Sequence, residues 1–428
     1  MPITLNNVTS QFPGPKSKAA VKQLNSLFDA RAVHFVVDYV NSSGNYIVDI
    51  DGNKYLDVYA QIASIPVGYN NETLIKAARS PEMISALVNR PAIGNFPAEN
   101  WLSLVRDGLM RAAPKGHDQI FTAQSGSEAN ELAYKAAFML YQQRKRGEGV
   151  EWSAEEISSC LNNTKPGSPK LAILSFRNSF HGRGFGSLST TRSKAVHKLD
   201  IPSFNWPQAS FPMLKYPLEK YKAENIAEEK RCLEEVESLI ESWHCPVAAV
   251  VVEPIQSEGG DNHATAAFFQ GLRAITQKHS IVLIVDEVQT GFGATGRFWG
   301  HDHWELSSPP DIVTFSKKAQ TAGYFFSGPM LRPDKAWMGD AARVILSNAI
   351  IGEIFEKKLV EQTARVGTFL TYIAFDTLSA APLLKKMKHL GVNVGSCGVE
   401  TIRLRPMLIF EEKHVTTLIE AFETAFKQ

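Results

Sequence analysis

Ser125-Gly126-Ser127 stands between a strand-like stretch and a helix-like one. Small residues there let backbone N–H groups and hydroxyls approach a phosphate, and a helix N-terminus adds a favourable field. An ordinary helix cap, with Ser125 or Ser127 capping and Glu128 in the first turn, accounts for the same residues. Asp286 and Glu287 close the most apolar stretch of the chain. An acid at the end of a buried strand is costly without a partner. A cationic ring nitrogen, a metal or an arginine would serve. Lys317 and Lys318, in DIVTFSKKA, follow another strand end. A lysine there can form a Schiff base where burial lowers its pKa, while a solvated lysine fits the same spacing.

Phe180-His181-Gly182-Arg183 follows a further strand. An aromatic beside an arginine could stack on a flat cofactor and hold a carboxylate, or be a core phenylalanine next to a surface ion pair. Glu253 and Glu258, in EPIQSEGG, flank a glycine-rich turn, where capping and surface charge are the plain alternatives. Arg403 and Arg405, in IRLRP, are expected on opposite faces of a strand, one of them buried. Taken together, a phosphate cradle, a stacking ring, an acid for a ring nitrogen and a lysine fall at successive strand ends. That is the set needed to hold pyridoxal 5′-phosphate and use it as an electron sink.

The elements that must position these residues alternate. Gln119–Ala123, Leu171–Phe176, Ala248–Val252, Ile281–Val285 and Asp311–Phe315 read as strands, with helices over Ser127–Arg146 and Phe268–Lys278. Continuous apolar runs such as Ala248–Val252 suit a parallel sheet buried on both faces. The expectation is an α/β domain whose ligands lie beyond the carboxyl ends of the strands. YIVDIDGNKYLDVY (Tyr46–Tyr59) reads as a hairpin turning at Asp51-Gly52. Met1 to about Lys22 reads as a polar arm, Glu148–Pro169 as a surface excursion, and Phe204–Leu218 as an irregular loop.

Composition narrows the function. Of 428 residues, 44% are hydrophobic and 21% charged, which is ordinary globular usage. Lys+Arg (45) nearly balances Asp+Glu (44), which argues against a general nucleic-acid or acidic-membrane binder. The four cysteines form no CxxC pair, so neither a zinc site nor a disulfide framework is expected. No apolar run is long enough to span a bilayer. No secretory signal or mitochondrial presequence is read, so a cytoplasmic location is expected.

Seven stretches carry a resemblance. They are GNYIVDIDGNKYLDVYAQIASIPVGYN (Gly44–Asn70), QSGSEANELAYKAA (Gln124–Ala137), SFHGRGFGSLSTTRSKAVHKLDIPSFNWP (Ser179–Pro207), VVEPIQSEGGDNHA (Val251–Ala264), IVDEVQTGFGATGRFWGHDHW (Ile284–Trp304), DIVTFSKKA (Asp311–Ala319) and GVNVGSCGVETIRLRPMLIF (Gly391–Phe410). In this order and spacing the chain resembles the class III (ω-amino acid) aminotransferases, and within them the 4-aminobutyrate branch as it occurs in fungi.

That resemblance implies a fold-type I PLP-dependent transferase, usually a homodimer with sites at the subunit interface. It implies a large PLP-binding domain over 71–335. A smaller α+β domain would come from 1–70 and a shortened 336–428. It makes Lys317 the Schiff-base lysine rather than Lys318, and Asp286 the partner of the pyridine nitrogen. Gly126 and Ser127 would bind the phosphate, Phe180 would stack on the ring, and Val288 and Gln289 would line it. Arg183 would hold the distal carboxylate of the substrate. Glu258 would pair with Arg403, freeing it for the α-carboxylate of 2-oxoglutarate, and Glu253 would lie near the reacting centre. The implied reaction turns 4-aminobutyrate and 2-oxoglutarate into succinate semialdehyde and glutamate. Another ω-amino acid such as β-alanine, or a non-catalytic PLP-fold protein, are the alternatives.

The sequence departs from the family at three places. LRPDKA (Leu331–Ala336) runs straight into Trp337-Met338-Gly339-Asp340, without the threonine expected to reach a partner subunit's phosphate. VGTFLTYIAFDT (Val366–Thr377) lacks a helix end, a loop and a strand start between Leu370 and Thr371. Ala322-Gly323 replaces a Gly-Gly pair, and Ser125 and Glu128 stand where some animal relatives carry cysteines, so no iron–sulfur cluster is expected.

Overall fold

The computed structural model describes residues 12–147, 149–328, 333, 337–370, 373–397 and 400–427. At its centre lies a seven-stranded sheet. The strands are Gln119–Ala123 (β1), Ala172–Phe176 (β2), Gln208–Ala209 (β3), Val247–Val252 (β4), Val282–Asp286 (β5), Ile312–Phe315 (β6) and Ala322–Phe326 (β7). Their spatial order is β1-β7-β6-β5-β4-β2-β3. β2 to β6 run parallel, while β7 is antiparallel to both β6 and β1. Every residue of β2, β4, β5, β6 and β7 is buried, which is why these strands read as near-continuous apolar runs. The α/β expectation therefore holds. The reversed strand β7 was not anticipated: buried on both faces, it carries no alternation that betrays direction.

Helix Gly126–Arg146 buries Ala129, Leu132, Ala133, Ala136 and Ala137 in the core of this sheet. Helix Ala341–Glu356 adds Val344, Ile350, Ile351 and Ile354 to the same core.

A second core joins the two ends of the chain. Tyr46–Val48 pairs antiparallel with Lys54–Asp57, turning at Asp51-Gly52, where Gly52 sits at φ +88°. Val392–Asn393 adds to the same sheet in parallel. A second small sheet has Thr401–Arg403 flanked antiparallel by Ala374–Asp376 and Gly395–Cys397. Leu56, Val58, Val366, Met387, Ile402, Leu404 and Leu418 pack together between these sheets and the C-terminal helix Glu412–Lys427.

Three local readings need correction. Part of the expected polar arm is a helix, Pro15–Leu24. Pro15 suits the first helical turn, and Asp51 accepts from Lys16 N and Ser17 N at 2.8 and 2.9 Å, a cap that sequence distance conceals. The excursion holds a helix, Ala154–Cys160, closed by a Ser153/Glu156 capping box. The loop Phe204–Leu218 contributes the short strand β3. Of the stretch Leu331–Ala336 only Pro333 is described, so the expected loss of a threonine lies outside the described residues. Helix Leu359–Leu370 and strand Ala374–Asp376 flank the second departure, with Thr371 and Tyr372 outside the described residues. Among the described residues no helix is long and apolar enough to cross a membrane.

Candidate active site

The carboxyl ends of β1, β5 and β6 open onto a cavity of about 190 Å³. Gly126, Ser127, Phe180, Glu253, Asp286, Val288, Gln289 and Lys317 line it, together with Asn130 and His181. The residues expected around a cofactor are thus brought together; Arg183, Glu258 and Arg403 stand outside this lining.

Asp286 is the last residue of β5 and is buried. Its Oδ2 accepts from Asn130 Nδ2 at 2.8 Å and lies 2.8 Å from His181 Nδ1. Among the described residues its Oδ1 accepts from Val288 N alone, at 3.0 Å. A carboxylate offers about four lone-pair sites, so Oδ1 keeps capacity for one more donor. Asn130 and His181 were not assigned roles from the sequence. The signal was there for Asn130, a polar residue on the apolar face of its helix; for His181 it was its place inside FHGR.

Lys317 follows β6 in a left-handed conformation, φ +46°. Burial pulls its amine down to about 8, and the positive charge of Arg403 adds to the effect. Lys317 Nζ donates to Ile62 O at 3.1 Å. Ile62 belongs to a turn, Ala60–Ala63, whose four residues have φ between +47° and +61°. Left-handed backbone costs non-glycine residues roughly 1–2 kcal/mol each. Asp57 holds the turn by accepting from Tyr59 N and Ala60 N, while Tyr69 Oη donates to Asp57 Oδ2 at 2.6 Å. Lys318 points elsewhere: its Nζ donates to Gln289 O at 2.6 Å.

At the start of helix Gly126–Arg146 both readings of the small residues apply. Ser125 is the cap, accepting from Glu128 N. Gly126 and Ser127 are left facing the cavity, with first-turn N–H groups that lack helical acceptors. A Cβ on Gly126 would lie 2.7 Å from Val288 Cγ1, so only glycine fits. Ser127 Oγ accepts from Arg183 N at 3.1 Å. Glu253 accepts from Phe180 N at 2.9 Å. Burial, then the charge of Asp286, pushes its carboxyl well above the usual range.

Beside the cavity, Arg403 Nη1 lies 2.9 Å from Glu258 Oε2, the expected pair. Lys194 Nζ reaches the other oxygen of Glu258 at 2.5 Å, and Tyr59 Oη accepts from Arg403 Nη2 at 3.0 Å. Burial alone would raise the Glu258 pKa; Arg403 and Lys194 hold it below the usual range. Arg403 Nε is buried with no hydrogen-bond partner among the described residues, a donor left for a carboxylate. Lys194 and Tyr59 were missed from the sequence, being far from both partners in the chain. The expectation that only one of Arg403 and Arg405 is buried is wrong: both are. Residues two apart on a strand share a face. Arg405 ion-pairs with Asp261 and donates from Nε to Gln289 Oε1 at 3.1 Å. Arg183 is exposed at the cavity's edge.

A family model described as class-III aminotransferase matches residues 27–372. The chain is 55% identical to a 4-aminobutyrate aminotransferase of Emericella nidulans, covering 99% of this chain and 92% of that protein. It is 49% identical to the Saccharomyces cerevisiae 4-aminobutyrate aminotransferase, covering 96% and 94%. The Emericella alignment runs over 456 positions, 28 more than the chain has residues, so that relative carries stretches this chain lacks. Among solved structures, a lysine aminotransferase from M. tuberculosis in its internal aldimine form matches with a TM-score of 0.83 at 25% identity. That match covers 96% of this chain and 99% of the other.

Proposed function

The chain belongs to the class-III aminotransferases, and from that premise we propose that it moves the amino group of 4-aminobutyrate to 2-oxoglutarate with pyridoxal 5′-phosphate as cofactor. The products are succinate semialdehyde and glutamate, so nitrogen and carbonyl oxygen exchange places and nothing is oxidised overall.

The observation that carries the reading is the convergence of Lys317, Asp286 and the Gly126 helix start on one cavity, with the Glu258–Arg403 pair beside it. These residues fit the cofactor. The helix start, with Gly126 and Ser127, would hold its phosphate. Asp286 Oδ1 has room for a ring N–H, Phe180 would cover a ring face, and Val288 and Gln289 would line its edge. Lys317 would attach it through an amine that burial keeps partly neutral near pH 8. When bound, the cofactor supplies an electron sink for a carbanion next to nitrogen.

The protein's own groups do the rest. His181 and Asn130 fix Asp286 so that its charge favours a protonated ring nitrogen. Lys317 Nζ takes the proton from the amine-bearing carbon of the substrate and returns it on the other side of the exchange. Burial and the neighbouring charge of Asp286 disfavour a second negative charge on Glu253. Arg183, at the edge, suits a carboxylate several carbons from the amine. Arg403 takes the α-carboxylate of the oxo acid once Glu258 turns to Lys194, which already holds it.

We further propose a cytoplasmic homodimer. Ile84, Leu87 and Val88 stand exposed on one face of helix Pro81–Asn89, an apolar stripe of the kind partners cover.

The test is the visible spectrum of the purified protein after adding pyridoxal 5′-phosphate. Borohydride reduction, peptide mapping and amine turnover follow. The expected result is a reduced adduct on Lys317 and a higher kcat/KM for 4-aminobutyrate than for β-alanine. A preference for β-alanine would move the substrate assignment. Scattered adducts and no turnover would favour a non-catalytic protein of the same fold, the outcome that the shorter chain makes worth testing. Light scattering checks the dimer, and cell fractionation the compartment.

A further inference from the structure

We infer that Lys318 is a positioning residue that clamps the acid-bearing turn Asp286–Gln289 to the lysine turn; the inference rests on the cofactor reading above. Lys317 and Lys318 are adjacent lysines, yet only Lys317 lines the cavity. Lys318 is 4% exposed, and its Nζ donates to the main-chain oxygen of Gln289 at 2.6 Å. Arg405 Nε donates to the side-chain oxygen of the same residue at 3.1 Å, and Asp261 holds Arg405 in turn. Gln289 is thus gripped at main chain and side chain by two basic side chains from separate segments.

The grip is transmitted in both directions. Val288 N closes back on Asp286 Oδ1 at 3.0 Å, so the turn from Asp286 to Gln289 is tied to the acid itself. Val288 also packs where a side chain on Gly126 would go, leaving little slack toward the helix start. On the other side, Ala319 N donates to Ser316 O at 3.1 Å and Gln320 N to Lys317 O at 2.8 Å. Lys318 sits in the middle of that turn, so a shift of Lys318 moves Lys317. The hydrogen bond from Lys318 therefore fixes where the lysine amine stands relative to the acid.

The identity of the side chain matters as well as its length. Burial, then the nearby charge of Lys317, pulls the Lys318 amine down to about 7. A neutral amine still donates an N–H to Gln289 O, so the clamp holds without a second full charge beside Lys317. An arginine could not shed its charge. The same bond keeps the Lys318 amine away from the cavity, leaving Lys317 as the sole attachment point.

Two measurements on Lys318→Met test this. In the cofactor-free protein, amide exchange of the segment 287–291 should speed about tenfold, the scale of one buried hydrogen bond. Exchange in β4 should stay unchanged. In the cofactor-loaded protein, the pH midpoint of the visible band should shift, with the borohydride adduct still on Lys317. Gln289→Ala, which keeps the main-chain oxygen, should leave the effect of Lys318→Met intact in the double variant. Should Lys318→Met fail to fold, Lys318→Gln carries the same measurements. Unchanged exchange at 287–291, an unchanged midpoint, or an adduct on Lys318 in Lys317→Ala would each overturn the inference. A wild-type protein that takes up no cofactor would overturn the proposed function, and the exchange measurement would still decide the clamp.

Discussion

The strand ends of the large sheet and the two small sheets at the chain's termini are built on opposite plans. At the strand ends, each reactive residue stands within a few positions of its strand: Gly126 after β1, Asp286 as the last residue of β5, Lys317 after β6. A deeply buried sheet places them, and local sequence is enough to do so. The small sheets are stitched from residues far apart. Leu56 pairs with Val392, Asn393 Nδ2 donates to Asp57 Oδ1 at 2.8 Å, and Tyr59 meets Arg403. Their strands are two to four residues long. The two regions meet at Lys317, whose Nζ donates to Ile62 O in the turn that Asp57 holds.

The largest break in that comparison is Lys317→Ala. It removes both the attachment point and the proton carrier, so turnover should fall by at least about 10³-fold, with the midpoint of thermal unfolding little changed. Full turnover in this variant would sink the assignment of the site. Asp286→Asn comes next. It keeps one acceptor facing Asn130 and His181 but removes the charge, and kcat should drop by about 10²–10³-fold, the scale of losing one preorganised electrostatic contact. If kcat held and only KM rose, Asp286 would be a binding residue and no more.

Leu418→Ala and Leu272→Ala compare the two cores directly. Both leucines are fully buried, one in each core. Each deletion should cost about 2–5 kcal/mol. Leu272→Ala should lower the global transition. Leu418→Ala should split it, with hydrogen exchange rising first in Thr401–Arg403 and Glu412–Lys427, because few and short strands hold that core. A single transition lowered equally by both would show that the two cores unfold together.

What could be read from sequence follows the same division. The parallel strands and the helix at Gly126 were legible, since buried apolar runs and the residues ending them are local signals; local sequence left Lys317 and Lys318 open, and only the family resemblance separated them. The direction of β7 was not, because a strand buried on both faces has no pattern that marks its sense. Nor was the left-handed turn Ala60–Ala63, in which no glycine announces positive φ; it exists because Asp57, Tyr69 and Asn393 surround it. Lys194 and Tyr59 became visible only through Glu258 and Arg403, their partners in space. The N-terminal helix was hidden for the same reason, its cap being Asp51 from the hairpin.

The smallest effect concerns another amine with a lowered pKa, on a helix that packs into the second core. Lys388, on helix Ala380–His389, is buried, with its Nζ 5.2 Å from the centre of the Phe12 ring. Burial pulls it down to about 8 from an ordinary value of 10.5. Between those values the unfolded chain binds a proton that the folded chain does not. Stability contributed by this group therefore rises as pH goes from about 8 to about 10.5, and the cost of keeping the amine buried is greatest below 8. Lys388→Met removes the titration while keeping the apolar stem, at the expense of a cation–π contact worth about 0.5–2 kcal/mol. Subtracting the two pH profiles of unfolding free energy cancels Lys317 and Lys318, which titrate nearby in both proteins. The difference should favour the methionine variant most at pH 7 and shrink toward pH 10. A difference that stays flat across that range would mean that Lys388 reaches water, and that the N-terminal segment around Phe12 covers the small core less tightly than the strand ends are covered by theirs.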